Sequence, residues 1–185
     1  MRLFLVLLIS LSLFGCEPEY SEPYTSFLLP EGSHGQSLRA ETLQSTKCYF
    51  KAIFDESAIY QTEDPVNQYD INKLMGFSDC NSVHHVNSAR FGWRWLDDLL
   101  EIHAYVYVNG ERFSELVGVV PLNEPSSYEI AITKETYRFK LNELDEVVMP
   151  RGSTCDQGAY YMLWPYFGGD ETAPHDIKIK IQRDW

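Results

Sequence analysis

Apolar and polar residues alternate along most of this sequence, and almost no stretch repeats with the helical period of 3.6 residues. β-Branched and aromatic residues crowd between turn signals, a pattern typical of short β-strands. Strands are expected, among others, at 48–54 and 175–182. The pattern predicts an all-β fold, namely a two-sheet antiparallel β-sandwich of the jelly-roll type.

The clearest predicted hairpin joins 128–133 to 136–141 through the two-residue turn Lys134-Glu135. This turn would pair Ile132 with Tyr137, Ile130 with Phe139 and Tyr128 with Leu141. It would also place Glu129 opposite Lys140 on the other face. Because side chains alternate strictly, a slip of one residue would bury those charges, so the register itself can be predicted.

Two further hairpins share one strand. Asn109-Gly110 favours a type I′ turn between 106–108 and 111–113, because both central residues of that turn need a positive φ. Upstream, a turn at Asp97-Asp98 would fold "SARFGWRW" (88–95) onto "LLEIHAYVYV" (99–108). The expected pairs are Trp95 with Leu100, Trp93 with Ile102, Phe91 with Ala104 and Ala89 with Val106. These aromatic residues are therefore predicted to lie in the core.

The opposite face of the same hairpin is polar and is our candidate binding site. We expect it to consist of Arg90, Arg94, Glu101, His103, Tyr105 and Tyr107. Aromatic rings stack on sugars while Arg, Glu and His bond hydroxyl groups, so a carbohydrate is the favoured ligand. The alternative is an ordinary surface with a cross-strand ion pair between Arg94 and Glu101, worth about 0.2–1 kcal/mol.

The N-terminus has a different pattern. An apolar run over 3–13 follows Arg2, and it is too short for a bilayer core of ~30 Å but suits a secretory signal. Leu13-Phe14-Gly15-Cys16 resembles the bacterial lipobox, which implies removal of 1–15 and a lipid on Cys16. The alternative is an ordinary signal peptide that contains a cysteine. The lipid would hold the protein at a membrane of the bacterial cell envelope, and the outer membrane is the expected one. The sequence does not predict whether the protein faces the periplasm or the cell surface.

After the signal, 16–37 is predicted to be a flexible tether, because it is rich in proline and acids and has no period. Phe27 to Leu29 within it are apolar enough to dock on the domain. The remaining 38–185 suffices for one β-sandwich domain. The formal net charge of −12 becomes −13 when cleavage removes Arg2, which argues against a nucleic-acid partner.

Three cysteines remain besides Cys16. Cys80 and Cys155 lie in polar, loop-like stretches whereas Cys48 begins an apolar strand, so a Cys80–Cys155 disulfide is favoured while the other two pairings stay open. Their spacing disfavours zinc. No cofactor is expected except calcium, for which Asp170, Glu171 and Asp176 of one loop are candidates beside His175. A solvated acidic loop is the alternative. His84 and His85 would point in opposite directions on an extended chain.

The run from Ser88 through Pro150, above all "YEIAITKETYRFKLNELDEVVMP", resembles the core of concanavalin-A-like (laminin-G-like) lectin sandwiches. "HHVNSARFGWRW" and "PYFGGDETAPHDI" resemble a family of bacterial lipoproteins and secreted proteins without an assigned activity. The resemblance covers roughly 70–185, and it implies a fold but no residue roles. Glucanases of this fold carry E-x-D-x-x-E on a strand, whereas 143–146 here reads as a turn.

Catalytic signatures are scarce: G-x-S-x-G, H-E-x-x-H, P-loop and dinucleotide motifs are missing from the sequence. The expectation is a non-catalytic, lipid-anchored envelope protein that binds a carbohydrate or another surface ligand. One alternative is a carbohydrate-active hydrolase of the glucanase type, which needs two carboxyl groups about 5–9 Å apart. A second acid beside Glu101, in place of Arg94, would favour that alternative. The other is a structural or protein-interaction lipoprotein without a small-molecule site.

Overall fold

The computed structural model describes residues 23–35, 40–153, 155 and 157–183. The predicted signal peptide (1–15) and Cys16 lie outside these residues. Within them the strands are β1 (Thr25–Leu29), β2 (Thr42–Leu43), β3 (Lys47–Phe54), β4 (Asn72–Ser78), β5 (Ser88–Leu96), β6 (Leu99–Val108), β7 (Glu111–Val120), β8 (Ser126–Ile132), β9 (Thr136–Leu141), β10 (Val147–Pro150), β11 (Tyr160–Leu163) and β12 (Ile177–Arg183). Short 3₁₀ turns at Glu56–Ala58 and Pro65–Tyr69 precede β4.

The strands form two antiparallel sheets. The first has the order β1-β12-β3-β8-β9-β10, and the second has the order β2-β11-β4-β5-β6-β7. The predicted all-β, two-sheet sandwich is confirmed. In the portion of the chain that is described, no helix is long and apolar enough to cross a membrane.

The predicted registers are confirmed. Ile130 pairs with Phe139 and Glu129 with Lys140, as the alternation of apolar and charged residues required. Trp93 pairs with Ile102 in the β5–β6 ladder, which turns at Asp97-Asp98. Asn109 and Gly110 both have positive φ, at 52° and 89°, as a type I′ turn demands.

The core lies between the sheets and is largely aromatic. Phe91 from the second sheet meets Phe139 of the first edge to face, with ring centroids 5.1 Å apart. Phe50 stacks on Tyr128 at 5.0 Å. Trp93 is fully buried, whereas Trp95 lies at the end of the core and is only partly covered. Interdigitation of the inward-facing residues of both sheets thus holds the sandwich together.

The domain begins earlier than the sequence indicated. Thr25–Leu29, which falls within the predicted tether, is an edge strand paired with β12. The physical reason is alternation: Leu29 is fully buried, and the ring of Phe27 stacks on Trp164 at a centroid distance of 5.6 Å. The boundary at residue 38 is therefore corrected, and 25–29 belongs to the sandwich.

A disulfide bond and an ion pair fasten the loop between β10 and β11. Cys80 and Cys155, the pairing favoured by the sequence, form a disulfide with their Cα atoms 5.9 Å apart, and Cys48 is free and buried. Nearby, Arg151 Nε donates to the buried carboxylate of Asp79 over 2.7 Å. Asp79 also accepts a hydrogen bond from the hydroxyl of Tyr137. The loop is thereby held to both sheets.

Candidate functional site

The predicted site residues lie together on one face. We call the side of β4–β7 that points away from the first sheet the outer face. The β5–β6 register places Arg90 opposite Tyr105, Gly92 opposite His103, and Arg94 opposite Glu101. The six predicted residues, Arg90, Arg94, Glu101, His103, Tyr105 and Tyr107, all project from this face. Their common position follows from the two-residue side-chain period of the paired strands.

Glu101 is held by two neighbours. Arg94 Nε donates to Glu101 Oε2 over 2.6 Å, and His103 Nε2 lies 3.0 Å from the same oxygen. Burial lowers the pKa of His103 despite the opposing effect of Glu101, so the imidazole is predominantly neutral at pH 7. Glu101 is the only acid among the outward-facing residues of β5 and β6, all of which are described. A carboxylate pair is therefore not found there.

Arg90 is the most unusual residue of the outer face. Only 6% of its surface is exposed, and its buried Nε has no hydrogen-bond partner among the described residues. The guanidinium lies 5.5 Å from the ring centroid of Tyr105. Desolvation is the main cause of a lowered Arg90 pKa. A buried charge with no carboxylate partner among the described residues is costly.

A second cation adjoins Arg90. The β4–β5 ladder has a register shift between Lys73 and Gly76, and Gly76 lies directly opposite Arg90. A Cβ at Gly76 would come within 2.1 Å of the Ala89 carbonyl oxygen, so only glycine fits this approach. Lys73 Nζ lies 4.7 Å from the centroid of the Tyr105 ring.

The charge state of Lys73 responds to its surroundings. Desolvation, followed by repulsion from Arg90 and Arg112, lowers the pKa of Lys73 to about 8, against a weaker opposing effect of Asp70. Arg112 lies on β7 opposite Tyr107. Lys73, Arg90 and Arg112 form what we call the cationic cluster. The six predicted residues included only one of its three members.

Phenol groups surround this cluster. Burial raises the pKa of Tyr105 to about 12, and Tyr107 adds to that rise. Tyr166 is 43% exposed and is bridged to Lys73 by two backbone hydrogen bonds of 2.8 and 3.0 Å. Its hydroxyl is close enough to Arg90 to affect the arginine's pKa. Tyr166 lies in the quoted "PYFGGD" stretch, but only tertiary structure brings it to the outer face.

The histidine pair differs from its prediction. The rings of His84 and His85 are 4.1 Å apart at their centroids, and the ring of His85 lies 5.3 Å from that of Tyr107. The expectation of opposite orientations is wrong because 84–86 form a turn and 87 a bend, so the two histidines do not lie on an extended segment.

The calcium candidates do not converge. Glu171 accepts hydrogen bonds from the backbone amides of Glu63 and Asp64, and the amide of Asn67 is the first cause of its lowered pKa. Asp176 instead accepts from the amide of Glu31. The described ranges contain no group of three or more His, Cys, Asp or Glu side chains that could hold a metal. The grouping of Asp170, Glu171 and Asp176 is corrected: two of these carboxylates bind separate backbone segments.

The fold is similar to that of several solved structures. An alginate lyase from Klebsiella pneumoniae superposes with a TM-score of 0.54 at 12% identity, over 73% of this chain and 56% of the enzyme. Alginate lyase AlyC3 has a TM-score of 0.55 at 10% identity, over 85% and 72% of the two chains. A functionally unknown Saccharomyces cerevisiae protein has a TM-score of 0.55 at 10% identity, over 91% of each. No known protein family and no curated protein sequence matches the chain.

These neighbours correct one expectation. The sequence, lacking catalytic signatures, led us to expect a protein that is not an enzyme, but the solved structures that share this fold are mostly enzymes that act on carbohydrates. The non-catalytic expectation is therefore wrong. At such low identity the likeness establishes the sandwich fold alone, and the chemistry has to be argued from the outer face.

Proposed function

We propose that this protein is a polysaccharide lyase that cleaves uronate-containing glycans at the outer face of its second sheet. The observation that carries the proposal is the cationic cluster of Lys73, Arg90 and Arg112, in which buried Arg90 has no carboxylate partner within the described ranges. A uronate carboxylate would supply the missing negative charge. Planar guanidinium groups suit that ligand because they bind carboxylates through two parallel hydrogen bonds.

The elimination reaction makes use of such a cluster. A proton leaves C5 of the uronate, the bond from C4 to the glycosidic oxygen breaks, a double bond forms between C4 and C5, and the departing oxygen takes up a proton. The C5 proton becomes acidic enough only when the charge developing on the carboxylate is stabilised. Arg90 and Lys73 would provide that stabilisation in a poorly solvated place.

Two groups are candidates for the proton transfers. Tyr166 offers an exposed phenol that is paired through its backbone with Lys73 and lies within electrostatic range of Arg90, and His103 offers an imidazole that burial keeps neutral. Both residue types act as general acids or bases in enzymes. We assign the main proton-transfer role to Tyr166, because Glu101 already occupies His103 Nε2.

A hydrolase is less well supported by the same face. Glycoside hydrolysis normally needs two carboxyl groups flanking the bond. Glu101 is bonded to Arg94 and His103, and the other outward residues of β5 and β6 carry no acid. Elimination needs no carboxylate pair. The similarity to alginate lyases, one of them solved with dimannuronate, agrees with an acidic glycan.

A direct experiment is to incubate the protein with polymannuronate, polyguluronate, pectate and hyaluronan and to follow the ultraviolet absorbance of the new double bond. We expect activity on at least one polymer, and a loss of about 10²-fold or more in Tyr166→Phe and Arg90→Ala. Matched controls are Tyr161→Phe and Arg138→Ala, both exposed residues outside the cluster.

Three outcomes would overturn the proposal. The first is that none of the four polymers yields unsaturated product. The second is new reducing ends without unsaturation, which would indicate hydrolysis. The third is a Tyr166→Phe variant as active as the Tyr161→Phe control, which would remove Tyr166 from the proton transfer.

A further inference from the structure

A separate groove lies at the far end of the β5–β6 hairpin. Its volume is about 580 Å³, within the range of ligand pockets, and it is open to solvent. The residues that give it its character are Ile59, Gln68, Tyr69, Trp95, Asp97 and Asp98. Trp95 lies five residues along β5 from Arg90, which corresponds to about 17 Å of extended strand, and none of Lys73, Arg90 and Arg112 lines the groove. The groove is therefore distinct from the cationic cluster.

Aromatic rings form one part of the groove. Tyr69 is 64% exposed, which is unusual for a large ring that lines a cavity. Arg94 fixes the position of Tyr69. Its Nη1 donates to the Tyr69 carbonyl over 2.9 Å, and its guanidinium lies 5.9 Å from the centroid of the Tyr69 ring. Trp95 packs on the core with part of its ring uncovered. These residues offer a prearranged apolar platform.

Free carboxylates form the other part. Asp97 and Asp98 occupy the two turn positions with φ of 51° and 60°, and both are exposed. In the part of the chain that is described, neither side chain has a hydrogen bond or ion pair, and no lysine or arginine lines the groove. An anionic sugar would be repelled here, whereas the hydroxyl groups of a neutral sugar would find acceptors.

We infer that this groove binds a neutral oligosaccharide, stacked on Tyr69 and Trp95 and hydrogen-bonded to Asp97 and Asp98. Its charge preference is opposite to that of the cationic cluster, so the two sites would take different sugar units. The inference does not depend on lyase activity. A neutral glycan is favoured over a peptide. The groove combines aromatic ring faces with carboxylate acceptors, and it lacks the deep apolar pockets that the side chains of a peptide would need.

The test is isothermal titration of the full chain with cellohexaose and laminarihexaose, with hexamannuronate as the acidic comparison. We expect at least one neutral hexasaccharide to bind, and Tyr69→Ala to weaken that binding about tenfold or more, as truncation of an aromatic anchor does. Tyr69→Phe should retain binding. The matched control is Val66→Ala, because Val66 is 73% exposed on the same 3₁₀ turn but does not line the groove.

The acids are tested separately with Asp97→Asn and Asp98→Asn, since asparagine tolerates the positive φ of the turn. Both changes should leave the thermal unfolding midpoint unchanged, and both should weaken the binding of the neutral hexasaccharide. Absence of binding by both neutral hexasaccharides, or equal binding by Tyr69→Ala and Val66→Ala, would overturn the inference. Arg90→Ala should affect only hexamannuronate, which separates this result from a failure of the lyase proposal.

Discussion

Arg94 and Glu101 face each other across the β5–β6 ladder, and Arg94 Nε donates a hydrogen bond of 2.6 Å to Glu101 Oε2. Arg94 Nη1 also donates to the carbonyl of Tyr69, so one guanidinium ties the strand to the 3₁₀ turn before β4. The side chains of Arg94 and Glu101 are 18% and 15% exposed, which places the pair between a surface and a buried ion pair. Its role is to position neighbouring groups as much as to carry charge.

Removal of this guanidinium should destabilise the fold. We expect Arg94→Ala to lower the free energy of unfolding by about 1–3 kcal/mol, because two hydrogen bonds from a charged group are lost. Urea unfolding followed by tryptophan fluorescence measures this change. The control is Lys47→Ala, whose ion pair with Glu129 is more exposed and should cost no more than about 1 kcal/mol. Equal losses in both variants would contradict the positioning role.

Lys73 should make stability depend on pH. Its pKa is lowered to about 8 in the fold, from 10.5 for an unperturbed lysine. Between these values the unfolded chain binds the proton that the folded chain has released, so the contribution of Lys73 to stability rises with pH across this window and is constant outside it. Urea unfolding at a series of pH values measures the rise, which Lys73→Met should remove and Lys51→Met, an exposed lysine of β3, should leave in place.

The same titration should affect ligand binding in the opposite direction. Lys73 loses its charge as the pH rises through about 8, so the cationic cluster holds a uronate less tightly above that pH. The measurement is the Kd of hexamannuronate from pH 7 to pH 9 in wild type and in Lys73→Arg, which stays charged throughout. A Kd that rises with pH equally in both proteins would assign the effect to another group.

The disulfide should carry much of the stability of the loop before β11. Cys80 and Cys155 are 75 residues apart, so their bond restricts a long segment of the unfolded chain. Cys80→Ser with Cys155→Ser should lower the free energy of unfolding by about 2–5 kcal/mol. Cys48 is the internal comparison: burial raises the pKa of its thiol, so a thiol reagent should label it only when the protein unfolds. Rapid labelling in native buffer would contradict its buried position.

The sequence predicted the strands and their registers well because those depend on local alternation. Trp93 and Ile102 pair as expected, since a slip of one residue would have placed charged neighbours in the core. The same reasoning placed Arg90 and Tyr105 on a common face. Both inferences needed only the two-residue period of a strand and a short turn.

The remaining site residues depend on contacts that no local pattern encodes. Lys73 lies on the outer face because β4 pairs with β5, where Lys73 is opposite Gly92, and Tyr166 reaches that face from the segment after β11 by a bridge to Lys73. The edge strand β1 was assigned to a tether because its partner, β12, lies at the other end of the sequence. Pairing between segments that are distant in the sequence therefore determines the parts that the sequence did not reveal.

The lipid anchor on Cys16 stays a prediction of the sequence, since that residue lies outside those described. We expect Cys16→Ser to abolish incorporation of radiolabelled palmitate and to move the protein from the membrane fraction to the soluble fraction of the producing cell. Cys48→Ser is the matched control, because a buried cysteine of the core should leave lipidation unchanged. Labelling that persists in Cys16→Ser would favour a different kind of anchor or none.

Arg90 should show a trade-off between stability and function. Its buried Nε lacks a partner, so replacing the guanidinium by an apolar side chain of similar length removes an uncompensated polar group. We expect Arg90→Met to raise the free energy of unfolding by about 1–3 kcal/mol without ligand.

Hexamannuronate should stabilise wild type and leave the variant unchanged, because ligand stabilises only a fold that binds it. Urea unfolding with and without the sugar distinguishes these effects, with Arg138→Met as the exposed control. A less stable Arg90→Met variant would mean that the guanidinium serves the fold itself rather than an anion.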